Sequence, residues 1–193
     1  MLDREIGAAG VYLLYKGRFA FAVGPTASGD GLAVIRLGGH LEPGETPAQC
    51  IARELWEEEA VRPWLVEPPA TYRASPAGSG TYRLEVMAGG APSAPPPLLL
   101  SPRRDGRQFS ATYLGVSPVM PVPSTEVAGI LLLDVPTVHR LTSAIVTLGE
   151  VIAWGGQALL RAPLAPGLPL VPFAQLQILP QLLALHPDLP HLV

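Results

Sequence analysis

The sequence predicts a mixed domain of the α/β or α+β class. Short apolar runs of strand length fill the first forty residues, and a helix with a fully marked start follows at 46–60. Further strand-length runs come next, then two apolar segments of helix length toward the C-terminal end.

Taken in order, residues 10–16 and 19–23 are apolar and flank Gly17-Arg18, which reads as a hairpin. Residues 24–31 are small and polar, hence a loop, and residues 32–37 form a short strand running into Gly38-Gly39. The helix at 46–60 has Thr46 as its N-cap, Pro47 at its first position and Gln49 three residues after the cap, a capping box. Ala48, Ile51, Ala52 and Leu55 recur at helical spacing and supply its buried face. Pro63, Pro68 and Pro69 then break the chain. A strand at 81–87 and an exposed loop at 89–97 follow. Asp105-Gly106 is a turn into a strand at 108–116, and 126–134 is another strand. Residues 136–160 are predicted helical, as are 173–186 despite Pro180.

The 193 residues suit one domain, 1–193, with a real core. Hydrophobic residues make up 48% and charged ones 15%, a globular composition. A net charge of -3 leaves no basic surplus to draw in a nucleic acid or an anionic membrane, so neither is an expected partner. Cys50 is the only cysteine, which excludes a disulfide within the chain and a thiolate metal cage. The start, Met1-Leu2-Asp3-Arg4-Glu5, is unlike a secretory signal, and Asp134, His139, Arg140 and Glu150 interrupt the longest apolar stretch. A cytoplasmic location is the expectation. Proline-rich, apolar residues 163–180 are either a homodimer surface or a cover for the core.

The chemistry concentrates in residues 38–61. Glu54, Glu57 and Glu58 stand at i, i+3 and i+4, so their carboxylates share one helical face. Like charges at that spacing cost a helix a few tenths of a kcal/mol per pair, roughly. They also sit near the helix C-terminus, the wrong end for anions. A divalent cation is the natural compensation, since hard oxygen ligands suit Mg²⁺ or Mn²⁺. The glycines ahead of the helix let the backbone approach that cation and offer a carbonyl.

Gly39, Glu45, Arg53, Glu54, Leu55, Glu57, Glu58, Ala60 and Val61 stand at the spacings of a known signature. The segment resembles the Nudix box, departing from it only where Ala60 replaces the last glycine. That residue would strain a left-handed helix exit by about 1 kcal/mol, or the exit differs here.

The resemblance implies an α/β fold: the Nudix-type α/β/α sandwich with a mixed sheet and a loop-helix-loop catalytic motif. It implies a hydrolase that cleaves a nucleoside diphosphate linked to another group, using Mg²⁺ or Mn²⁺. Glu54 and Glu58 would be the main ligands, Glu57 would assist, and a carbonyl of Gly38 or Gly39 would complete the protein's share. Arg53 and Glu45 would orient the carboxylates. The general base would be Glu54 in the box or a glutamate on a later loop, for which Glu126 is the candidate.

The substrate would be a small-molecule nucleotide. Pro76 lies 15 residues after Val61, where the ADP-ribose subgroup carries a proline, so ADP-ribose or a nucleotide sugar leads. A nucleoside tri- or diphosphate is the alternative, and a non-catalytic nucleotide-binding module is the reading of another class. His40 reads as loop filler ahead of a substrate contact, and Cys50 as a buried structural residue. Trp56 and Trp64 read as core aromatics ahead of base-stacking platforms, and Arg103, Arg104 and Arg107 as a solvated basic loop.

Overall fold

The computed structural model describes residues 6–78, 81–87, 95–103 and 107–192. Its first strands, β1 (Ile6–Tyr15) and β2 (Arg18–Pro25), form the expected hairpin. The turn falls at Lys16-Gly17, one residue earlier than predicted. Both residues have positive φ, 49° and 72°, the backbone that a tight two-residue hairpin requires. Tyr15 pairs with Arg18 across it.

The third strand, β3 (Leu32–His40), runs antiparallel to both β1 and β2 and extends through the two glycines expected in a loop. Gly38 pairs with Gly10 and Gly39 with Ala9, so the sheet itself carries them. Next comes α1 (Pro47–Glu59), the box helix. The strands β4 (Trp64–Val66), β5 (Tyr72–Gly78), β6 (Thr81–Val86), β7 (Leu99–Pro102) and β8 (Phe109–Val116) follow, then β9 (Gly129–Leu133). The chain closes through α2 (Val135–Ser143), α3 (Leu148–Ala153), β10 (Gln157–Leu160), β11 (Leu170–Pro172), α4 (Ala174–Leu185) and a 3₁₀ turn at Leu189–His191.

The described strands join in one mixed sheet of order β10-β9-β2-β3-β1-β8-β7-β5-β6, with β11 against β3 and β4 against β8. The β1–β8, β3–β11 and β5–β7 pairs are parallel. Two apolar clusters lie on its two faces. One joins Val11, Leu13 and Leu37 to Cys50, Ile51 and Leu55 of α1. The other joins Tyr12, Leu14 and Val34 to Val138 of α2, Val151 of α3 and Leu179 of α4. Alternate residues of β1 therefore enter opposite clusters, the arrangement of an α/β/α sandwich. Burial on both faces explains why β1 reads as a continuous apolar run.

Several sequence expectations need correction. The helix predicted over 136–160 is interrupted. Ser143 ends α2, and Thr147 then caps α3 in a second capping box with Glu150. Gly155 turns the chain at φ 87°, and residues 157–160 pair with β9 as a strand. Asp134 belongs to no strand; its side chain accepts from Thr137 N at 2.9 Å and caps α2. Ala48 and Ala52 are exposed, because α1 rests on the narrower stripe of Pro47, Cys50, Ile51, Leu55 and Glu59. Trp56 and Trp64 are 54% and 65% exposed, so neither is a core aromatic. Asp105-Gly106, Arg104 and most of the 89–97 segment lie outside the described residues. Within 163–180, Leu170, Leu176, Ile178 and Leu179 are buried and cover the core. Among the described residues, no helix is long and apolar enough to cross a membrane.

Candidate functional site

The start of α1 forms as its sequence dictates. Thr46 Oγ1 accepts from Gln49 N at 3.3 Å, and Gln49 Oε1 accepts from Thr46 N at 2.9 Å. The exit is also fixed. Ala60 adopts φ 53°, ψ 32°, and its N–H donates to Leu55 O. The left-handed turn is thus kept without its usual glycine, at a cost of about 1 kcal/mol.

This helix carries a compact charge network. Arg53 Nε and Nη2 donate to the two Glu45 oxygens, each at 3.0 Å. Arg53 Nη1 donates to Glu54 Oε1 at 2.9 Å, and more weakly to Glu57 Oε2 at 3.4 Å. Arg53 Nη2 also donates to His40 O at 3.2 Å, which ties the helix to the end of β3. The guanidinium holds Glu45 below the usual carboxylate range. One arginine thereby fixes two carboxylates from opposite ends of the loop-helix segment.

Glu54 is seated against the sheet. Its carboxylate lies over Gly39, where any Cβ would overlap it. Gly38 is required for a different reason: its φ is 115°, and a side chain there would strike the β1 backbone at Ala9 and Gly10. Glu58, on the same helical face as Glu54, opens into a cleft of about 270 Å³ lined also by Gly38, Ile35 and Glu126. The structure brings Glu126 and Glu58 together although they are far apart in sequence. Burial, and then the Glu54, Glu126 and Glu57 carboxylates, push the Glu58 carboxyl above its ordinary value. Glu57 itself is half exposed, with 53% of its side chain accessible.

The carboxylates gathered here are hard oxygen donors, the chemistry of a hard divalent cation. Glu54, Glu57, Glu58 and Glu126 crowd like charges together, an environment that suits a cation. Among the described residues, no three His, Cys, Asp or Glu side chains stand together as a group that could hold a metal ion. One oxygen of Glu54 is instead turned to Arg53.

Two charged residues in or behind this region escaped the sequence reading. Glu59 is fully buried beside the Glu58 carboxyl, and among the described residues no N–H or hydroxyl donates to its oxygens. Burial, and then Glu58, push it up to about 9. Its position was legible, since Ile51, Leu55 and Glu59 are successive i+4 steps on one stripe. Arg36 is 8% exposed and crosses Gly10 to reach Ser110 Oγ at 2.8 Å, while also donating to Ala9 O at 3.0 Å and Leu37 O at 3.1 Å. Burial lowers its pKa to about 10. The one signal was a charge inside the apolar run 32–37.

The remaining candidates sort quickly. Cys50 is buried, its thiol donating to His40 O at 3.4 Å. The His40 ring meets Arg103 Nη2 at 2.9 Å, and Arg103 Nη1 donates to Gly7 O at 2.8 Å, so Arg103 is tied to the sheet and is not a solvated loop residue. Trp56 stacks with Arg62, its ring centre 4.8 Å from the guanidinium.

The NUDIX domain model matches residues 8–91, the stretch that begins in β1 and includes the whole Gly39–Val61 pattern. Over those residues the chain is similar to a Nudix domain. Among solved structures, the chain is similar to the E. coli ORF135 protein, at 14% identity and TM-score 0.44, over 69% of this chain and 76% of that one. It is also similar to a NUDIX hydrolase from Nitrosomonas europaea, at 13% identity and TM-score 0.42, over 68% of this chain and 60% of that one. No curated protein matches it.

Proposed function

We propose that this protein is a metal-dependent Nudix hydrolase that cleaves the pyrophosphate of a nucleoside diphosphate linked to another group. ADP-ribose or a nucleotide sugar is the first candidate substrate. The observation that carries the reading is the seat of Glu54. Its carboxylate is held over Gly39 by an arginine that Glu45 anchors in turn, while Glu58 faces the adjoining cleft with Glu126. A purely structural acidic helix has no need of a carboxylate fitted into glycine space.

In this reading Glu54 and Glu58 would hold Mg²⁺ or Mn²⁺, with Glu57 assisting and a carbonyl from Gly38 or Gly39 completing the protein's ligands. When bound, the cation would neutralise charge at the phosphate oxygens and lower the pKa of a water. Arg53 keeps Glu54 oriented, and Glu45 keeps Arg53 in place. Glu126 accepts the proton of the attacking water. Glu54 is the rival for that role, but one of its oxygens already accepts from Arg53.

The test is a panel of ADP-ribose, nucleotide sugars and nucleoside tri- and diphosphates, assayed with Mg²⁺, with Mn²⁺ and with chelator. The expected result is chelator-sensitive release of a nucleoside monophosphate and the phosphorylated partner group. Preference for nucleoside triphosphates would move the substrate to the alternative class. Nucleotide binding without turnover under every condition would make the chain a non-catalytic module.

A further inference from the structure

We infer that Arg161 is a positioning residue that holds Glu126 at the cleft, an inference that rests on the catalytic reading above. Glu126 lies on the connection between β8 and β9, where residues 117–128 form neither strand nor helix. A connection of that length holds a side chain in place only if it is tied down elsewhere. The ties come from two directions.

From one side, the loop is bound to the end of the box helix. Ser124 N donates to Glu58 O at 2.7 Å, and Val122 N donates to Glu59 O at 3.0 Å. These carbonyls belong to the last turn of α1, where the helix itself supplies no partner. The backbone of Glu58 thus anchors the loop whose Glu126 shares a cleft with the Glu58 side chain.

From the other side comes Arg161, just past β10. Its Nε donates to Ser124 O at 2.8 Å and its Nη2 to Thr125 O at 3.2 Å. The second carbonyl belongs to the peptide that enters Glu126. The backbone N–H groups of Arg161 and Ala162 both donate to Ala128 O, at 3.0 and 3.2 Å, on the far side of Glu126. Glu126 is therefore bracketed, with Arg161 gripping the peptides before it and the backbone after β10 gripping the carbonyl two residues beyond. A planar guanidinium spans two successive carbonyls, which an ammonium does not reproduce. Among the described residues, the Arg161 side chain reaches carbonyls only and no cleft carboxylate, so it acts through the loop and not on substrate.

The test compares Arg161→Ala and Arg161→Lys with the unaltered full chain. Amide hydrogen exchange, without metal or substrate, reads the clamp directly. The Val122 and Ser124 amides should exchange roughly tenfold faster or more in Arg161→Ala, with α1 and β9 unchanged. Turnover reads the consequence. Arg161→Ala should lower kcat roughly tenfold with KM nearly unchanged, because misplacing a proton acceptor costs rate and not ground-state binding. Arg161→Lys should recover only part of that loss, and Arg161→Ala should add nothing to Glu126→Gln. Unchanged exchange at Val122 and Ser124 would overturn the inference, and so would an equal kcat loss in the Glu126→Gln background. If the unaltered protein hydrolyses no compound of the panel, the catalytic reading falls, and the exchange data still decide whether Arg161 holds the loop.

Discussion

Arg53 grips both oxygens of Glu45, eight residues earlier in the chain, at 3.0 Å each. The same guanidinium spends its remaining nitrogen on Glu54 at 2.9 Å. This contact couples the loop before the box helix to the carboxylate over Gly39. A two-point grip of this kind depends on the planar fork of arginine. Arg53→Lys should therefore lower Mn²⁺ affinity by roughly tenfold to a hundredfold while leaving the fold intact. Calorimetric titration with Mn²⁺ checks it, and unchanged affinity would count against the orienting role.

The two ends of α1 offer paired stability tests. Thr46→Ala removes the cap oxygen that accepts from Gln49 N and should cost about 1 kcal/mol. Ala60→Gly relieves a left-handed alanine and should stabilise by roughly 0.5–1 kcal/mol, after the added freedom of glycine in the unfolded chain is subtracted. Urea unfolding measures both. A destabilising Ala60→Gly would show that the exit carries no strain.

The buried Glu59 predicts an unusual pH dependence. Its carboxyl is raised in the folded protein from 4.5 to about 9. Between those values the folded state holds a proton that the unfolded state has lost. This contribution is complete below the unfolded value and disappears as pH rises through the folded one, with a slope approaching about 1.4 kcal/mol per pH unit in between. Glu45 works in the opposite sense: its carboxyl is lowered by Arg53, so its contribution is present above the unfolded value and lost toward acid. Urea midpoints from pH 5 to 9 in chelator should fall for the natural protein and flatten for Glu59→Gln, on the order of the slope given above. Identical pH profiles would contradict a protonated Glu59.

Much of this site was legible locally because its signals are local. Thr46, Pro47 and Gln49 mark a helix start within four positions, and Glu54, Glu57 and Glu58 share a face by helical spacing alone. What was not legible depends on partners distant in the chain. Gly38-Gly39 looked like a loop because glycine usually punctuates; here Ala9 and Gly10 pair with them and keep them in the sheet. The apolar stretch 136–160 looked like one helix, since apolar content does not show where Thr147 and Gly155 interrupt it. Trp56 looked like core because it is large and apolar, but it falls beside the buried stripe and stacks on Arg62 instead. The grip of Arg161 on the Thr125 carbonyl joins residues 36 apart, and no spacing rule announces it.

Glu126→Gln separates the two candidate proton acceptors. If Glu126 accepts the proton, the variant should bind Mn²⁺ normally and turn over slowly. If Glu54 does so, the variant should stay close to the unaltered protein in both respects. Steady-state turnover and Mn²⁺ titration on the same preparation decide between them.

The most direct test of the whole account is Glu58→Gln, measured for turnover on the best substrate of the panel and for Mn²⁺ affinity. The substitution removes one carboxylate charge from a crowded cluster and takes away no core packing, so thermal stability should hold or rise slightly without metal. Turnover should fall by orders of magnitude, and Mn²⁺ should bind more weakly. A Glu58→Gln protein that retains full turnover and unchanged Mn²⁺ affinity would contradict the assignment of this cluster as the working site.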